Sequence, residues 1–240
     1  MSSLRVGSLV YFYQTIDVFG PLDVISSGSI LLAKIVEKYC RVSDEVMKKA
    51  PDVSFHHIGI DLNPVPLTGG LSINPTCTVD DAPSDIDILI LGGPDPASFE
   101  LHPRFAEYIR AHVAAGRILF TNCTGSCVAA LAGVLDGRKA TVNNEQYEWF
   151  KKRFPNVNWT NDTKWVVDGN IWTAAGAVAG MDMAAQWMKE KYGEDLMTFA
   201  TMGLDFEPRD INGVLNVIPK RHDESGKQIS SHVFNYYDSY

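Results

Sequence analysis

Short apolar runs rich in strand-forming residues alternate along this chain with helical segments, and this alternation restricts the fold more than any other feature. Strands are predicted over residues 4–11, 53–60, 87–91 and 117–122, and a helix over 104–115. Strands of a parallel sheet are continuously apolar in this way because helices cover both faces of the sheet. The pattern predicts an α/β fold, a three-layer sandwich with a mostly parallel, flavodoxin-like central sheet.

The remaining segments fit a single domain over residues 1–240, since a chain of 240 residues can bury one large core. An Asp-Gly turn at 168–169 indicates a hairpin over 164–174, and an apolar helix is predicted over 178–192. The final stretch, 207–240, is polar and is predicted to form an irregular C-terminal extension.

The formal net charge is −8 and the basic residues are scattered, so the sequence argues against nucleic acid and anionic membranes as partners. The N-terminus lacks the pattern of a signal peptide, and no apolar run is long enough to span a membrane, so we expect a cytoplasmic protein. The four cysteines show no metal-ligand spacing and are expected to be thiols.

Cys123 lies where the apolar run 117–122 turns into a helical pattern. Such a junction presents a side chain at the carboxyl end of a sheet and points the first N–H groups of a helix at its target. A thiol at a helix N-terminus is favoured as the thiolate, which makes Cys123 a candidate nucleophile. The alternative is a small buried cysteine that fills the end of a strand.

Two other segments should converge on Cys123, because the carboxyl ends of parallel strands form the site in such sheets. They are the loop after the first strand, with Asp17 and Gly20, and the loop after the third, with Gly92 and Gly93. The backbone N–H groups of Gly93 and Thr124 could form an oxyanion hole. An ordinary glycine turn is the alternative for the diglycine.

Asp17 has apolar neighbours on both sides, which predicts partial burial and a raised pKa suited to a proton shuttle. The alternative is a helix N-cap. A Cys-His pair is unsupported, because His112 lies in a helical pattern typical of a surface and His102 could at most reach the rim of the site.

The sequence resembles the ThiJ/PfpI superfamily, whose fold is that of class I glutamine amidotransferases. Four motifs in order carry the resemblance: Asp-x-x-Gly-Pro at 17–21, the diglycine loop 91–94, the elbow 123–125 with the segment 131–141, and the hairpin-helix signature 167–182. The form of the first motif resembles the isonitrile hydratase branch in particular. The segment 29–50 and the C-terminal extension are atypical of short members.

The resemblance implies that Cys123 is the nucleophile and Asp17 its acidic partner, with Thr124 and Gly93 supplying N–H groups. It also implies a homodimer that acts on a small molecule with no metal or organic cofactor. Many relatives have a His-Trp pair after Ala140-Thr141, whereas this chain has Asn143 in that region, a residue that cannot act as a general base.

The function expected is that of a cysteine-dependent hydratase or lyase acting on a small electrophile, such as conversion of an isonitrile to a formamide. One alternative is a glyoxalase-like enzyme acting on 2-oxoaldehydes; Asn143 counts against it, although Asp17 could substitute as the base. The other is a redox-sensing or chaperone stress protein, in which Cys123 would be oxidised.

Overall fold

The structure is a computed structural model that describes residues 2–229 and 231–236. The strands are β1 Ser3–Leu9, β2 Cys40–Val42, β3 Asp52–Gly59, β4 Val65–Pro66, β5 Ser72–Ile73, β6 Cys77–Thr78, β7 Ile88–Leu91, β8 Ile118–Asn122, β9 Lys139–Ala140, β10 Asn158–Trp159, β11 Trp165–Asp168, β12 Ile171–Ala174 and β13 Phe234–Tyr236. The α-helices are α1 Thr15–Ser27, α2 Ile30–Val36, α3 Asp44–Lys49, α4 Pro103–Ala114, α5 Gly125–Leu131, α6 Tyr147–Arg153, α7 Ala177–Tyr192 and α8 Glu194–Gly203.

A seven-stranded sheet organises the fold, in the order β11-β12-β8-β7-β1-β3-β6. Strands β12, β8, β7 and β1 run parallel, β6 is parallel to β3, and β11 at the edge is antiparallel to β12. The order of β12, β8, β7, β1 and β3 is the flavodoxin-like one, as predicted. The mostly parallel α/β fold expected from the sequence is therefore confirmed.

The chain order of the central strands changes direction between β1 and β7, where ligands bind in open α/β sheets. All four residues of β7 are buried, and Ile90 and Leu91 pair with Phe120 and Thr121 of β8. The segments that follow β1, β7 and β8 therefore leave the sheet at the same edge. These segments carry the candidate residues named above.

The residues form two compact units. The larger comprises Arg5–Gly20 and Ser54–Gly180, and it contains most of the sheet and every candidate site residue. The smaller comprises the described residues of Met1–Leu4, Pro21–Val53 and Met181–Tyr240. The single domain over residues 1–240 stays a prediction.

The C-terminal extension is less irregular than expected, because β13 pairs antiparallel with β2. Before β13, the buried Arg221 binds the carboxylates of Asp205 and Glu207. Residues 237–240 of the predicted extension lie outside the described part of the chain, as does Ser230. The sequence prediction also lacked α8, which precedes the extension.

His112 is buried, contrary to the surface position expected for it. It shares a face of α4 with Phe105 and Ile109, and its Nε2 lies 2.8 Å from the carbonyl oxygen of Ile118. The helical spacing of these three residues explains the burial, and the backbone partner allows the polar ring to be buried.

Among the described residues, no single helix has the length and apolar character to cross a membrane. The bent pair α1 and α2 meets that test of length and composition only when the two helices are taken together.

Candidate functional site

Cys123 stands at a sharp turn between β8 and α5, as the sequence predicts. Its φ is 54°, in the left-handed region that residues other than glycine seldom adopt. Its backbone N–H donates to the carbonyl oxygen of Ala174 in β12 at 3.1 Å, which fixes the turn to the neighbouring strand. Strained residues of this kind persist where the surrounding structure determines them, and they cluster at functional sites.

Buried hydroxyl groups behind the turn hold it in place. Ser126 Oγ donates to the carbonyl oxygen of Thr141 at 2.8 Å and lies 3.0 Å from Thr121 Oγ1. The Thr141 N–H in turn donates to Thr173 Oγ1 at 2.8 Å. These bonds connect β8, α5 and β12, so the geometry at Cys123 is anchored on three elements.

Asp17 lies in the first turn of α1 and is fully buried. The Gly93 N–H donates to its Oδ2 at 2.8 Å, whereas Oδ1 is buried and has no hydrogen-bond partner among the described residues. Burial raises the pKa of Asp17 to about 7, and the Gly93 N–H opposes that rise. The raised pKa expected from the sequence is confirmed, although the burial is complete and not partial.

Gly93 is packed between the acid and the elbow. A Cβ at this position would clash with Thr124 Oγ1 and would lie 2.7 Å from Asp17 Oδ2, so only glycine fits. The predicted oxyanion role for Gly93 requires a free N–H, but this N–H already binds Asp17. In this arrangement Gly93 positions the acid.

Asn122, which precedes Cys123, was missed by the sequence reasoning. Its Nδ2 donates to the main-chain carbonyl of Asp17, and its side chain is fully buried. Gly180 leaves room for it, since a Cβ there would lie 2.9 Å from Asn122 Nδ2 and would clash with Oδ1. Asn122 therefore joins the acid-bearing helix to the cysteine turn.

Pro21 explains why the Asp17 carbonyl is free to accept the hydrogen bond from Asn122. In α1, the N–H of residue 21 would normally donate to the carbonyl of Asp17, four residues earlier. Proline has no N–H, so that carbonyl loses its helical donor. The sequence signal was present, as a proline four residues after Asp17 and an asparagine directly before Cys123.

Cys123 is partly exposed, and its thiol is a weaker acid than expected. The pKa of Cys123 is raised to about 11, mainly by burial and then by the charges of Asp17 and Glu145, while hydrogen bonds with Thr124 act to lower it. The thiolate predicted from the helix N-terminus is therefore disfavoured in this state. The physical reason is that burial and the neighbouring carboxylate outweigh the hydrogen bonds with Thr124.

The remaining candidate residues are Thr124, Gly92, Gly20 and Asn143. Thr124 is buried, and its hydroxyl donates to the carbonyl of Pro94 at 2.7 Å. Gly92 has no space for a Cβ, which would lie 2.8 Å from a methyl group of Val18. Gly20 is buried in α1, one turn beyond Asp17, and Asn143 is partly buried with an unpartnered Oδ1 among the described residues.

Within residues 2–229 and 231–236, no group of three or more His, Cys, Asp or Glu side chains is arranged to hold a metal ion. The chemistry available on the described residues is that of a thiol, a carboxylic acid that titrates near neutrality, and backbone N–H groups. This combination suits covalent addition with proton transfer.

The sequence is matched over residues 13–190 by the profile of the DJ-1/PfpI family. An isonitrile hydratase of Pseudomonas putida is 29% identical over 209 residues, which cover 86% of this chain and 80% of that relative. The transcriptional regulator GbdR of Pseudomonas aeruginosa, of the helix-turn-helix type, is 30% identical over 142 residues, or 59% of this chain and 38% of the regulator.

A ThiJ/PfpI family protein from Pseudomonas syringae has a similar crystal structure, with a TM-score of 0.68. The two are 23% identical, and the match covers 87% of this chain and 77% of that one. This likeness concerns the fold.

Proposed function

This chain belongs to the DJ-1/PfpI family, and we propose that it is a cofactor-independent hydratase that adds water to a small electrophile such as an isonitrile. The observation that carries the proposal is the electrostatic interaction between the buried Asp17 carboxyl group and the partly exposed Cys123 thiol. A buried carboxyl group with a pKa of about 7 can both accept and return a proton at neutral pH. Similarity to the isonitrile hydratase of Pseudomonas putida supports the choice of substrate class.

In the first step, the Asp17 carboxylate takes the thiol proton of Cys123 as the sulfur attacks the isonitrile carbon. A C–S bond forms, and the carbon lone pair receives the proton from Asp17, giving a thioimidate bound to Cys123. The proton transfer is needed because the thiol has a raised pKa and is not ionised at rest.

In the second step, water adds to the thioimidate carbon. Asp17 accepts a proton from the water and passes it to the nitrogen. The tetrahedral intermediate then collapses: the C–S bond breaks, the hydroxyl oxygen becomes the carbonyl oxygen of the N-substituted formamide, and Asp17 carries the hydroxyl proton to the sulfur, which restores the thiol. Atoms balance as one isonitrile and one water giving one formamide.

The raised thiol pKa also bears on the alternatives. A redox sensor needs a thiol with a low pKa that ionises readily, whereas the pKa of Cys123 is raised. A glyoxalase needs a base to move a proton between carbons. Asn143 cannot supply it, so Asp17 would have to serve as that base.

A ligand-sensing role is the second candidate, because the relative GbdR is a transcriptional regulator. A protonated, partly exposed thiol beside a buried acid could contact a ligand without reacting with it.

The test is turnover of an aryl isonitrile by wild type and by the variants Cys123→Ala and Asp17→Asn, with methylglyoxal as the competing substrate. We expect formamide from wild type and its loss in both variants. Cys77→Ser is the matched control, because it removes a thiol that is also partly exposed but lies outside the candidate site. It should remain active.

Lactate formation from methylglyoxal would instead support the glyoxalase alternative. Binding of the isonitrile without turnover in wild type would reject the enzyme and favour the ligand-sensing candidate.

A further inference from the structure

A cavity of about 280 Å³ opens beside the ends of β1 and β3, within the larger unit. Its walls come from Val10 and Tyr11 after β1, from Gly59, Ile60 and Asp61 at the end of β3, and from the segment that leads into α4. A volume of this size accommodates a small organic molecule. Neither Cys123 nor Asp17 lines it.

Three aromatic rings form much of the wall. Tyr11 lies at their centre, with ring centroids 5.0 Å from Phe99 and 6.3 Å from Phe105. The Tyr11 hydroxyl donates to the carbonyl of Gly92 at 2.7 Å, so its polar end is already bound and its ring serves as an apolar wall. An aromatic wall of this kind binds apolar groups and, through the ring faces, organic cations.

The polar side chains of the cavity carry negative charge. Asp61 and Glu100 line it, and none of the described residues in its wall is a lysine or arginine. Asp61 accepts the N–H of Asn63, and within the described chain neither carboxylate is paired with a cation. The cavity therefore presents two uncompensated carboxylates beside aromatic surface.

A metal ion is a poorer fit than an organic cation. His102 also lines the cavity, but its Nδ1 accepts the N–H of Arg104 at 3.2 Å. The three side chains do not form a group that could hold a metal among the described residues. Aromatic walls add nothing to metal coordination, whereas they favour the apolar body of an organic ligand.

We propose that this cavity is a binding site for a small primary ammonium compound with an aromatic or aliphatic body. The ammonium group lies between Asp61 and Glu100, and its body packs against Tyr11, Phe99 and Phe105. This site is separate from the cysteine site, and the proposal does not depend on the proposed reaction.

The test is calorimetric titration at low ionic strength with benzylammonium chloride and with benzyl alcohol as the uncharged analogue. We expect one saturable site per chain for benzylammonium and much weaker binding of the alcohol. Glu100→Gln should weaken benzylammonium binding about fivefold, the upper range for an exposed ion pair. Phe99→Leu, which keeps an apolar side chain but loses the ring, should weaken it about threefold.

Glu107→Gln is the matched control, because Glu107 is exposed on α4 and does not line the cavity. It removes the same charge and should bind benzylammonium like wild type. Cys123→Ala should also bind like wild type, even if it has lost all turnover.

The proposal is overturned if benzylammonium shows no saturable binding or if benzyl alcohol binds equally well. It is also overturned if Glu107→Gln weakens binding as much as Glu100→Gln, or if Cys123→Ala abolishes it.

Discussion

The side-chain amide of Asn122 donates to the main-chain carbonyl of Asp17, and so ties the residue before Cys123 to the residue that bears the buried acid. Pro21 removes the helical donor that this carbonyl would otherwise have. The acid is held a second time by the Gly93 N–H on its Oδ2. Two hydrogen bonds, one from the end of β8 to the main chain and one from the loop after β7 to the carboxyl group, therefore set the position of Asp17.

Replacing Asn122 by alanine leaves the buried Asp17 carbonyl without this donor. We expect Asn122→Ala to lower the free energy of unfolding by about 1–3 kcal/mol. Because the acid is then less well positioned, kcat for the isonitrile should fall while KM changes little. Urea unfolding and steady-state kinetics measure both effects.

Asn158→Ala is the control, since exposed Asn158 also donates to a main-chain carbonyl, that of Gly137, at 2.8 Å. It should leave kcat unchanged. An equal fall in kcat in both variants would contradict a positioning role for Asn122.

Pro21→Ala supplies the missing N–H within α1. We expect the cost of Asn122→Ala in free energy of unfolding to be smaller in the Pro21→Ala background, because the Asp17 carbonyl can then accept a helical hydrogen bond. A double-mutant cycle measured by urea unfolding gives this coupling. Additive effects of the two substitutions would show that the carbonyl is not their shared partner.

Asp17→Asn should stabilise the protein at high pH. Asp17 has a folded pKa raised from 3.8 to about 7, so the folded state holds a proton that the unfolded state releases between those values. Its contribution to stability is present below pH 4 and is lost as the pH rises to about 7. The variant avoids this loss, and it should gain on the order of 2–4 kcal/mol relative to wild type between pH 4 and pH 8.

Thermal unfolding of wild type and Asp17→Asn across this pH range tests the point. Asp23→Asn, a replacement of another acid in the same helix that is less buried, serves as the control and should gain less. A difference between wild type and Asp17→Asn that does not change with pH would contradict the raised pKa.

The rate of isonitrile hydration should follow the ionisation of Asp17. Since its carboxylate must accept the thiol proton, kcat/KM should rise with pH up to about 7 and then level off. The pH profile of initial rates measures this. A fall in kcat/KM above pH 7 would mean that the protonated acid is needed from the start.

The sequence was sufficient for strands β1, β3, β7 and β8, for the hairpin of β11 and β12, and for the three loops of the site, because apolar runs and turn residues are local signals; it did not predict β2, β9, β10 or β13. The prediction that Cys123 is a thiolate was wrong, because the pKa of the thiol depends on burial and on Asp17, which is 106 positions away in the chain. The predicted oxyanion-hole role of the Gly93 N–H was wrong for the same reason. That N–H binds a carboxylate that only the folded sheet brings to it.

Asn122 and His112 were missed for different reasons. Asn122 binds a residue 105 positions away in the chain, so its own signal and that of Pro21 are connected only once the chain has folded. The burial of His112 was visible in its spacing from Phe105 and Ile109, but the polarity of histidine masked it.

The central claim is that Cys123 forms a covalent bond to the substrate with Asp17 as its proton carrier. The most direct test is the intact mass and peptide map of wild type and of Asp17→Asn after brief incubation with an aryl isonitrile and acid quench. Because Asp17 is needed to form the C–S bond, we predict an adduct of the isonitrile mass on the peptide that contains Cys123 in wild type, located to that sulfur by fragmentation, and far less adduct in Asp17→Asn. An adduct located on Cys127, no adduct in wild type while it still produces formamide, or equally fast adduct formation in Asp17→Asn would contradict the account.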